Sequence, residues 1–330
     1  MMIKKMLMLV CAILMIGTLA FAGGQKEEAA GEGDAMEKEE DQIEITVIYH
    51  DTGIEFGQVI KAGVEAAAKE FGIKADFVGP IGIDVNEQVN FVENAITQEV
   101  DGIAVSNVNA EALNPVIDKA IEAGIPTVTF NSEAAGSKRM GFFGQDLVES
   151  GRVQGEILVE YMGKSGKVIV VTGEAAASWS QDREKGVRES LAKYPDIEVI
   201  NTLSTGWEEQ QQYAAVENAL LANPDITGIA SLDAATTPAV GRALLRNDRE
   251  DISHVGHDLV PETLDNIKAG VTNASLSQDP YAQGYLPVRA LYEYITEGKE
   301  IESVDTGILR VDETNVDEYL EKLENGEPIG

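Results

Sequence analysis

The sequence predicts an α/β protein of two similar Rossmann-like lobes, in which parallel sheets are flanked by helices and the chain passes between the lobes at three hinge crossings. Two observations carry this prediction. From Ile43 onward, short β-branched runs alternate with longer segments of helical apolar spacing, the pattern of a parallel sheet covered on both faces. The same order of elements restarts near Gly166, and the copy is visible in the letters: DGIAVSNVNAEALNPVIDKAIEAGIPTVTFNS from Asp101 aligns with TGIASLDAATTPAVGRALLRNDREDISHVGHD from Thr227. The offset of roughly 125 residues is the length of a doubly wound half-fold. Length agrees, since about 285 residues from Gln42 exceed what most single cores occupy.

Element by element, residues 43–49 read as the first strand. Ile60, Gly63, Val64 and Ala67 then recur at helical spacing, and Phe71-Gly72 ends that helix. A second strand follows at 74–78. Asp84 and Glu87 resemble a capping box ahead of the stripe Val89, Val92, Ile96. The third strand is 102–106. Leu113, Val116, Ile117, Ala120 and Ile121 form a helix stopped by Gly124, and 126–130 is the next strand. The second copy reads as strand 167–172, helix 179–193, strand 197–200, helix 208–222 and strand 228–232. Crossings near Gly144, Gln278 and Thr306 divide the chain into an N-terminal lobe of 43–143 plus 279–305 and a C-terminal lobe of 144–278 plus 306–325.

Residues 1–22 read as a signal peptide, because Lys4 and Lys5 precede an apolar run from Met6 to Ala20 that ends in Ala20-Phe21-Ala22. The run has roughly 15 residues where a spanning helix needs about 20. Its removal takes two lysines and no acid, leaving 23 basic against 57 acidic side chains and a net charge of −34. Such a chain is a poor partner for nucleic acid or an anionic membrane surface. Residues 23–42, rich in Gly, Ala, Glu and Lys, have too little apolar surface to offset the entropy of ordering and are expected to form a disordered acidic tether. The one cysteine, Cys11, lies in the leader, too close to Lys5 for lipid attachment. The exported chain is therefore expected to hold no disulfide, thiolate nucleophile or cysteine metal ligand, and to reside in the periplasm or cell envelope.

In an open α/β sheet, ligands bind beyond the carboxyl ends of the strands. Two facing lobes put both sets of loops on one cleft. That geometry selects residues 50–56, 106–109, 131–132 and 174–183 together with Trp207, Asp233 and Asp258, and it sets Asn131 and Asp258 at equivalent ends of the two copies. Trp179 and Trp207, the two tryptophans, both fall in these loops. Plainer roles stand beside these. Phe56 and Trp207 also suit packing, Arg183 suits a surface pair with Asp182 or Glu184, and Asn131, Asp233 and Asp258 suit helix N-caps.

The chain resembles the periplasmic sugar-binding proteins of the ribose-binding type (type I periplasmic binding proteins), the substrate receptors of ABC importers. The resemblance runs from Ile43 to about Leu320 through FGQVIKAGVEAAAKEFG, DVNEQV, VDGIAVS, AGIPTVTFNS, GQDLVESGR, ASLDAATTPAVGRAL, VGHDLVPE and SQDPYAQGYLPVRALYEYI, in matching order and spacing. It implies that Phe56 is an aromatic ligand contact and Trp207 another. It likewise implies that Asn131 stands where the family usually has Asp, that Arg183 binds hydroxyls, and that Asp233, Asp258 and Gln278 accept from the ligand at the second lobe and hinge. These residue types suit a sugar, which needs planar bidentate groups for adjacent hydroxyls and flat aromatic faces for its C–H side. Two departures point away from ribose. The pair that is often Asp-Arg is Asn131-Ser132, and HDTGIEFG lacks the usual Asn-Pro and second aromatic. Fewer charged bidentate bonds suggest another monosaccharide, a polyol or a furanosyl signalling molecule.

Enzyme classes find little support. His254, His257 and Asp258 are the nearest approach to a metal or acid–base cluster, but strand alternation separates the two imidazoles and no HExxH helix accompanies them. TGEAAAS holds neither a Walker lysine nor GxGxxG. Asp233 with Asp258 leaves a glycoside hydrolase as a remote alternative. A DNA-binding regulator of this shape would need a basic helix-turn-helix where the leader stands. The expectation is a monomeric receptor without catalytic group, metal or cofactor, which captures a monosaccharide or similar polyhydroxy ligand by hinge closure and delivers it to a membrane permease. The alternative is a receptor for a furanosyl signal, polyol or nucleoside that reports to a membrane sensor. Truncating Arg183 or Asp258 is expected to weaken binding and leave the fold intact.

Overall fold

A computed structural model describes residues 42–329. The predicted leader at 1–22, with Cys11, and the predicted tether before Gln42 lie outside the described residues. The first lobe opens with β1 (Glu44–Ile48), α1 (Glu55–Phe71), β2 (Lys74–Val78), α2 (Val85–Thr97), β3 (Gly102–Val105), α3 (Ala110–Glu122), β4 (Thr127–Phe130) and β5 (Phe142–Gly144). The chain then builds the second lobe with α4 (Leu147–Met162), β6 (Ser165–Thr172), α5 (Ser178–Leu191), β7 (Asp196–Ser204), α6 (Glu209–Ala222), β8 (Ile226–Ser231), α7 (Thr236–Arg246), β9 (Ser253–His257), α8 (Pro261–Lys268) and β10 (Ala274–Ser277). It returns to the first lobe through α9 (Pro280–Glu297) and β11 (Val304–Asp305), and ends in the second with β12 (Leu309–Asp312) and α10 (Val316–Glu324).

Among the described residues the strands form two six-stranded sheets, ordered β11-β5-β4-β3-β1-β2 and β12-β10-β9-β8-β6-β7. Each strand of one sheet has its counterpart at the same place in the other, so the duplication read in the letters is a duplication of topology. The sixth strands differ: β11 runs parallel to β5, whereas β12 runs antiparallel to β10. Each arrives from the opposite lobe or a long return, outside the βα units that force parallel pairing. Central strands such as GIAV of β3 and TVTF of β4 are buried along their whole length, because helices cover both faces.

Local chemistry explains the boundaries. Gly72 takes a left-handed conformation (φ 65°) and closes α1. Asp84 accepts the Glu87 backbone N–H at 2.9 Å, the N-cap half of the expected box. Two expectations need correction. Trp179, counted both among the cleft loops and as the start of the helix at 179–193, lies in the first turn of α5, so the helical reading holds and the loop reading does not. The strand expected at 197–200 runs over 196–204, because β7 is a half-exposed edge whose polar end, Asn201 to Ser204, carries no apolar alternation. In the second lobe, Gly151 of α4 and Gly186 of α5 bring the two helices so close that a Cβ on either would overlap the carbonyl of Arg183 or Val148. That contact seats α5, which carries Trp179 and Arg183, against α4, and α4 packs in turn on β8, β9 and β10.

The chain passes between the sheets at 145–146, 278–279 and 306–308, and these crossings are bonded together. Thr306 N donates to Gly144 O at 3.1 Å, and Gln145 Nε2 to Gly307 O at 2.9 Å. Gln283 Nε2 donates to Gln278 O at 2.8 Å and Thr306 Oγ1 at 3.2 Å, while Thr306 Oγ1 donates to Gln278 O at 2.7 Å. No helix among the described residues is long and apolar enough to cross a membrane.

Candidate ligand-binding site between the lobes

Both sheets place their strand ends on one cleft cavity that holds about 430 Å³ of empty space, the open solvent at its mouth included. All seven residues singled out from the sequence line it: Phe56 and Asn131 from the first lobe, Arg183, Trp207, Asp233 and Asp258 from the second, and Gln278 at a crossing. Tyr49, His50, Ile54, Leu147, Trp179, Ala234 and Ala235 complete the lining.

Asn131 and Asp258 show how the fold aims a side chain. Asn131 follows β4 and its N–H still bonds Phe143 O at 3.0 Å; Asp258 follows β9 and its N–H still bonds Leu276 O at 2.8 Å. Each then turns left-handed, at φ 59° and 69°, a conformation that Asn and Asp tolerate better than other side chains. Their amide and carboxylate both end on Gln278. Asn131 Nδ2 donates to Gln278 Oε1 at 3.4 Å and to Gln283 Oε1 at 3.0 Å, and Gln278 Nε2 donates to Asp258 Oδ1 at 2.7 Å. The chain of polar groups extends at both ends. Ser106 Oγ donates to Asn131 Oδ1 at 3.2 Å and meets His50 Nδ1 at 2.8 Å, so its proton is committed and the imidazole must donate from Nδ1. Asp258 Oδ2 lies 4.0 Å from Arg183 Nη1, which donates to Leu232 O at 2.6 Å.

Burial governs the electrostatics. It pushes the Asp258 carboxyl above its ordinary range against the pull of Arg183, and lowers Arg183 from its usual value against Asp258 and Asp233. It drives His50 down to about 3 and Tyr49 well above its usual value, so both are neutral at pH 7. Two donors in this wall, Trp179 Nε1 and Arg183 Nε, are buried without a hydrogen-bond partner among the described residues. An unmade buried hydrogen bond costs about 1–3 kcal/mol, which a hydroxyl or ring oxygen between the lobes would recover.

The plainer roles divide. Arg183 is not a surface pair, since Glu184 bonds Arg188 instead and Arg183 is 3% exposed. Asp233 is a cap in part: its Oδ1 accepts the N–H groups of Ala235 and Thr236 and its Oδ2 that of Gly173, so it ties the loop after β6 to the start of α7. Phe56 belongs to the first lobe's apolar core as well as to the cavity wall. Trp207 lies over Gly173, its ring 6.3 Å from that of Trp179 and tilted by 52°. Ser132, the second half of the pair that departs from the family pattern, is not in the wall. Its Oγ donates to Asn107 O at 2.5 Å and meets Ser178 Oγ at 3.2 Å across the lobes.

Sequence reasoning missed Tyr49 as a lining residue and Gln283 and Gln145 as the ties of the crossings. Only the position of Tyr49 at the end of the first strand signalled it. His254 and His257 serve the core, with His254 Nε2 bonded to Ser231 Oγ at 2.8 Å and His257 Nε2 to Ser150 Oγ at 2.7 Å. No cluster of three or more potential metal ligands occurs among the described residues.

The chain is similar to several known binding proteins. A xylose/arabinose-binding protein from Sulfolobus acidocaldarius is 27% identical over 294 residues, covering 84% of this chain and 72% of that protein. A xylitol-binding protein from Mycolicibacterium smegmatis is 28% identical over 259 residues, covering 77% of this chain and 73% of that protein. The crystal structure of an ABC transporter solute-binding protein from Burkholderia graminis, in complex with D-arabinose, superposes with a TM-score of 0.80 at 28% identity, over 84% of this chain and 97% of that one. The family model for the periplasmic binding protein domain matches residues 45–300, and the chain belongs to that family.

Proposed function

We propose that this protein is the exported substrate-binding receptor of an ABC importer, and that it captures a monosaccharide or similar small polyhydroxy ligand between its lobes. One observation carries the reading: the hydrogen-bonded chain His50–Ser106–Asn131–Gln278–Asp258, continued by the Asp258–Arg183 ion pair at 4.0 Å, starts in the first lobe, passes through a crossing and ends in the second, beside two tryptophans. Carboxylate, amide and guanidinium groups match vicinal hydroxyls, and aromatic faces match the C–H side of a ring. The sugars and polyol named for the relatives support the same ligand class.

Closure of two lobes around a ligand is the general behaviour of periplasmic binding proteins. A ligand favours the closed form only through contacts that the open form lacks, so both lobes must touch it. Phe56 and Asn131 act from the first lobe, Arg183, Trp207 and Asp258 from the second, and Gln278 from the crossing. Asp233 positions the second-lobe loops. The leader at 1–22 delivers a monomeric receptor to the periplasm or cell envelope, its partner there is a membrane permease, and it performs no chemistry on its cargo.

The test is a titration of the mature protein with monosaccharides, polyols, nucleosides and amino acids, followed by tryptophan fluorescence and melting temperature. A specific ligand raises the melting temperature by mass action and changes the emission of Trp179 or Trp207. A response to amino acids alone removes the sugar assignment, and consumption of the ligand removes the receptor assignment.

A further inference from the structure

The two ends of the cavity differ in chemistry. At the hinge end stand Asn131, Gln278, Asp258 and Arg183, linked to one another as described. Gln278 fixes this end, since its carbonyl accepts from Thr306 at the third crossing. The opposite end is bounded by Ile54 and Phe56 from the first lobe and Ala234 and Ala235 from the second. These four residues also line a second, outer groove, which places them at the mouth; Val260, Pro261 and the carboxylates Glu55 and Glu262 belong to that outer groove and not to the inner cavity. None of the side chains of Ile54, Phe56, Ala234 and Ala235 can donate or accept a hydrogen bond. Asp233, the charged side chain of the inner wall beside them, has three of its roughly four acceptor sites filled by the N–H groups of Gly173, Ala235 and Thr236. A hydroxyl carried between Ile54, Phe56, Ala234 and Ala235 in the closed form would lose water and find no partner in these four side chains.

The charges narrow the ligand further. Arg183 is the one cationic side chain in the wall and already faces Asp258, with Asp233 also close enough to oppose the effect of burial on it. An anionic ligand would meet two carboxylates and one compensated guanidinium.

We infer that the ligand is an uncharged sugar with its hydroxyls toward the hinge and no hydroxymethyl arm at the mouth: a pentopyranose or a 6-deoxyhexose rather than a hexose, sugar acid or sugar phosphate. The inference rests on the sugar-receptor reading above and assigns Ile54, Ala234 and Ala235 as the residues that reject the arm. A hydrophobic pocket distinguishes weakly between a methyl group and nothing, but a buried hydroxyl left unpaired is strongly disfavoured, so the pentose and the 6-deoxy sugar belong together.

Three sugars that share one ring configuration and differ at a single carbon test this in calorimetry with the full mature chain. D-galactose carries the hydroxymethyl arm, D-fucose replaces it by methyl, and L-arabinose lacks it; D-glucose, 6-deoxy-D-glucose and D-xylose repeat the comparison in a second configuration. D-galacturonate and D-glucuronate place a carboxylate on the same carbon, and xylitol stands for acyclic polyols. In whichever configuration binds, the pentose and 6-deoxy sugar are expected to bind at least tenfold tighter than the hexose, with the uronate weakest. Ala235→Ser, which sets one hydroxyl at the mouth, is expected to narrow the gap between hexose and 6-deoxy sugar. A best binder that carries a hydroxymethyl arm or a carboxylate, or a preference for xylitol, overturns the inference and leaves the receptor reading standing. An undiminished gap in Ala235→Ser overturns the assignment of the mouth. No response to any of these compounds or to other monosaccharides, with a response to amino acids alone, overturns the sugar reading along with it.

Discussion

Arg183 is 3% exposed and Asp258 4%, with 4.0 Å between their charges. From the letters alone either could be truncated at no cost to the fold, because a ligand contact on a cleft rim is exposed in the free protein. Burial reverses that expectation. Removing one partner strands the other charge in a desolvated wall, whereas replacing both by neutral groups of similar size removes charge and penalty together. Arg183→Met and Asp258→Asn are each expected to destabilise the protein by about 3 kcal/mol, and the double variant by less than either single variant. All three variants are expected to lose ligand affinity. Urea unfolding of the four proteins measures the coupling, and additive losses would place the two charges outside each other's influence.

At the scale of elements, the start of α5 does more than present Trp179 and Arg183. Ser178 N donates to Val108 O at 3.4 Å and Ser178 Oγ to Asn107 O at 3.1 Å, so the first turn of a second-lobe helix rests on first-lobe carbonyls. Val108 and Ala134 of the first lobe share one buried apolar cluster with Ala177 and Trp179 of the second. The lobes therefore hold each other directly, apart from any ligand. Ser132→Ala with Ser178→Ala removes the side-chain part of this contact. At about 1 kcal/mol per bond, the closed form should lose a factor of five or more. The expected outcome is a larger radius of gyration in solution scattering without ligand, a roughly fivefold faster ligand dissociation, and little change in melting temperature. Unchanged scattering and dissociation would show that the contact carries no closure energy. The Asn131-Ser132 departure from the family pattern thus has two destinations: Asn131 faces the cavity and Ser132 joins the lobes.

For the molecule as a whole, the acid side of the stability curve belongs to buried imidazoles. Burial holds His50 and His254 down to about 3 and His257 well below its usual value. In the unfolded chain each protonates near 6.5. Between that pH and about 3 the unfolded state binds more protons, so stability present above pH 6.5 is lost as the pH falls. Each histidine contributes a slope approaching about 1.4 kcal/mol per pH unit. Asp258 and Asp182, whose carboxyls are raised by burial, act in the opposite direction, two groups against three. The urea midpoint is expected to fall between pH 7 and pH 5, and His254→Asn, remote from the cavity, to reduce that fall by about a third. A level or rising midpoint would contradict neutral buried imidazoles.

Periodicity and duplication determined the layered α/β architecture, because apolar spacing records which face of each element is buried. Strand ends in an α/β sheet are where loops meet ligands, so Asn131, Asp233 and Asp258 were legible without a motif. β5 and β11, of three and two residues, left no trace because so few residues carry no period, and β12 (LRVD) was missed where β3 (GIAV) and β4 (TVTF) of the same length were read, because charges interrupt its apolar run. What only the tertiary structure decided is which groups meet. Gln145, Gln278, Gln283 and Thr306 lie far apart in the chain and bond only because three crossings run side by side. Whether Arg183 is a surface charge or a buried one is likewise a property of its surroundings. Desolvation depends on every neighbour in space, and a sequence specifies neighbours only along the chain.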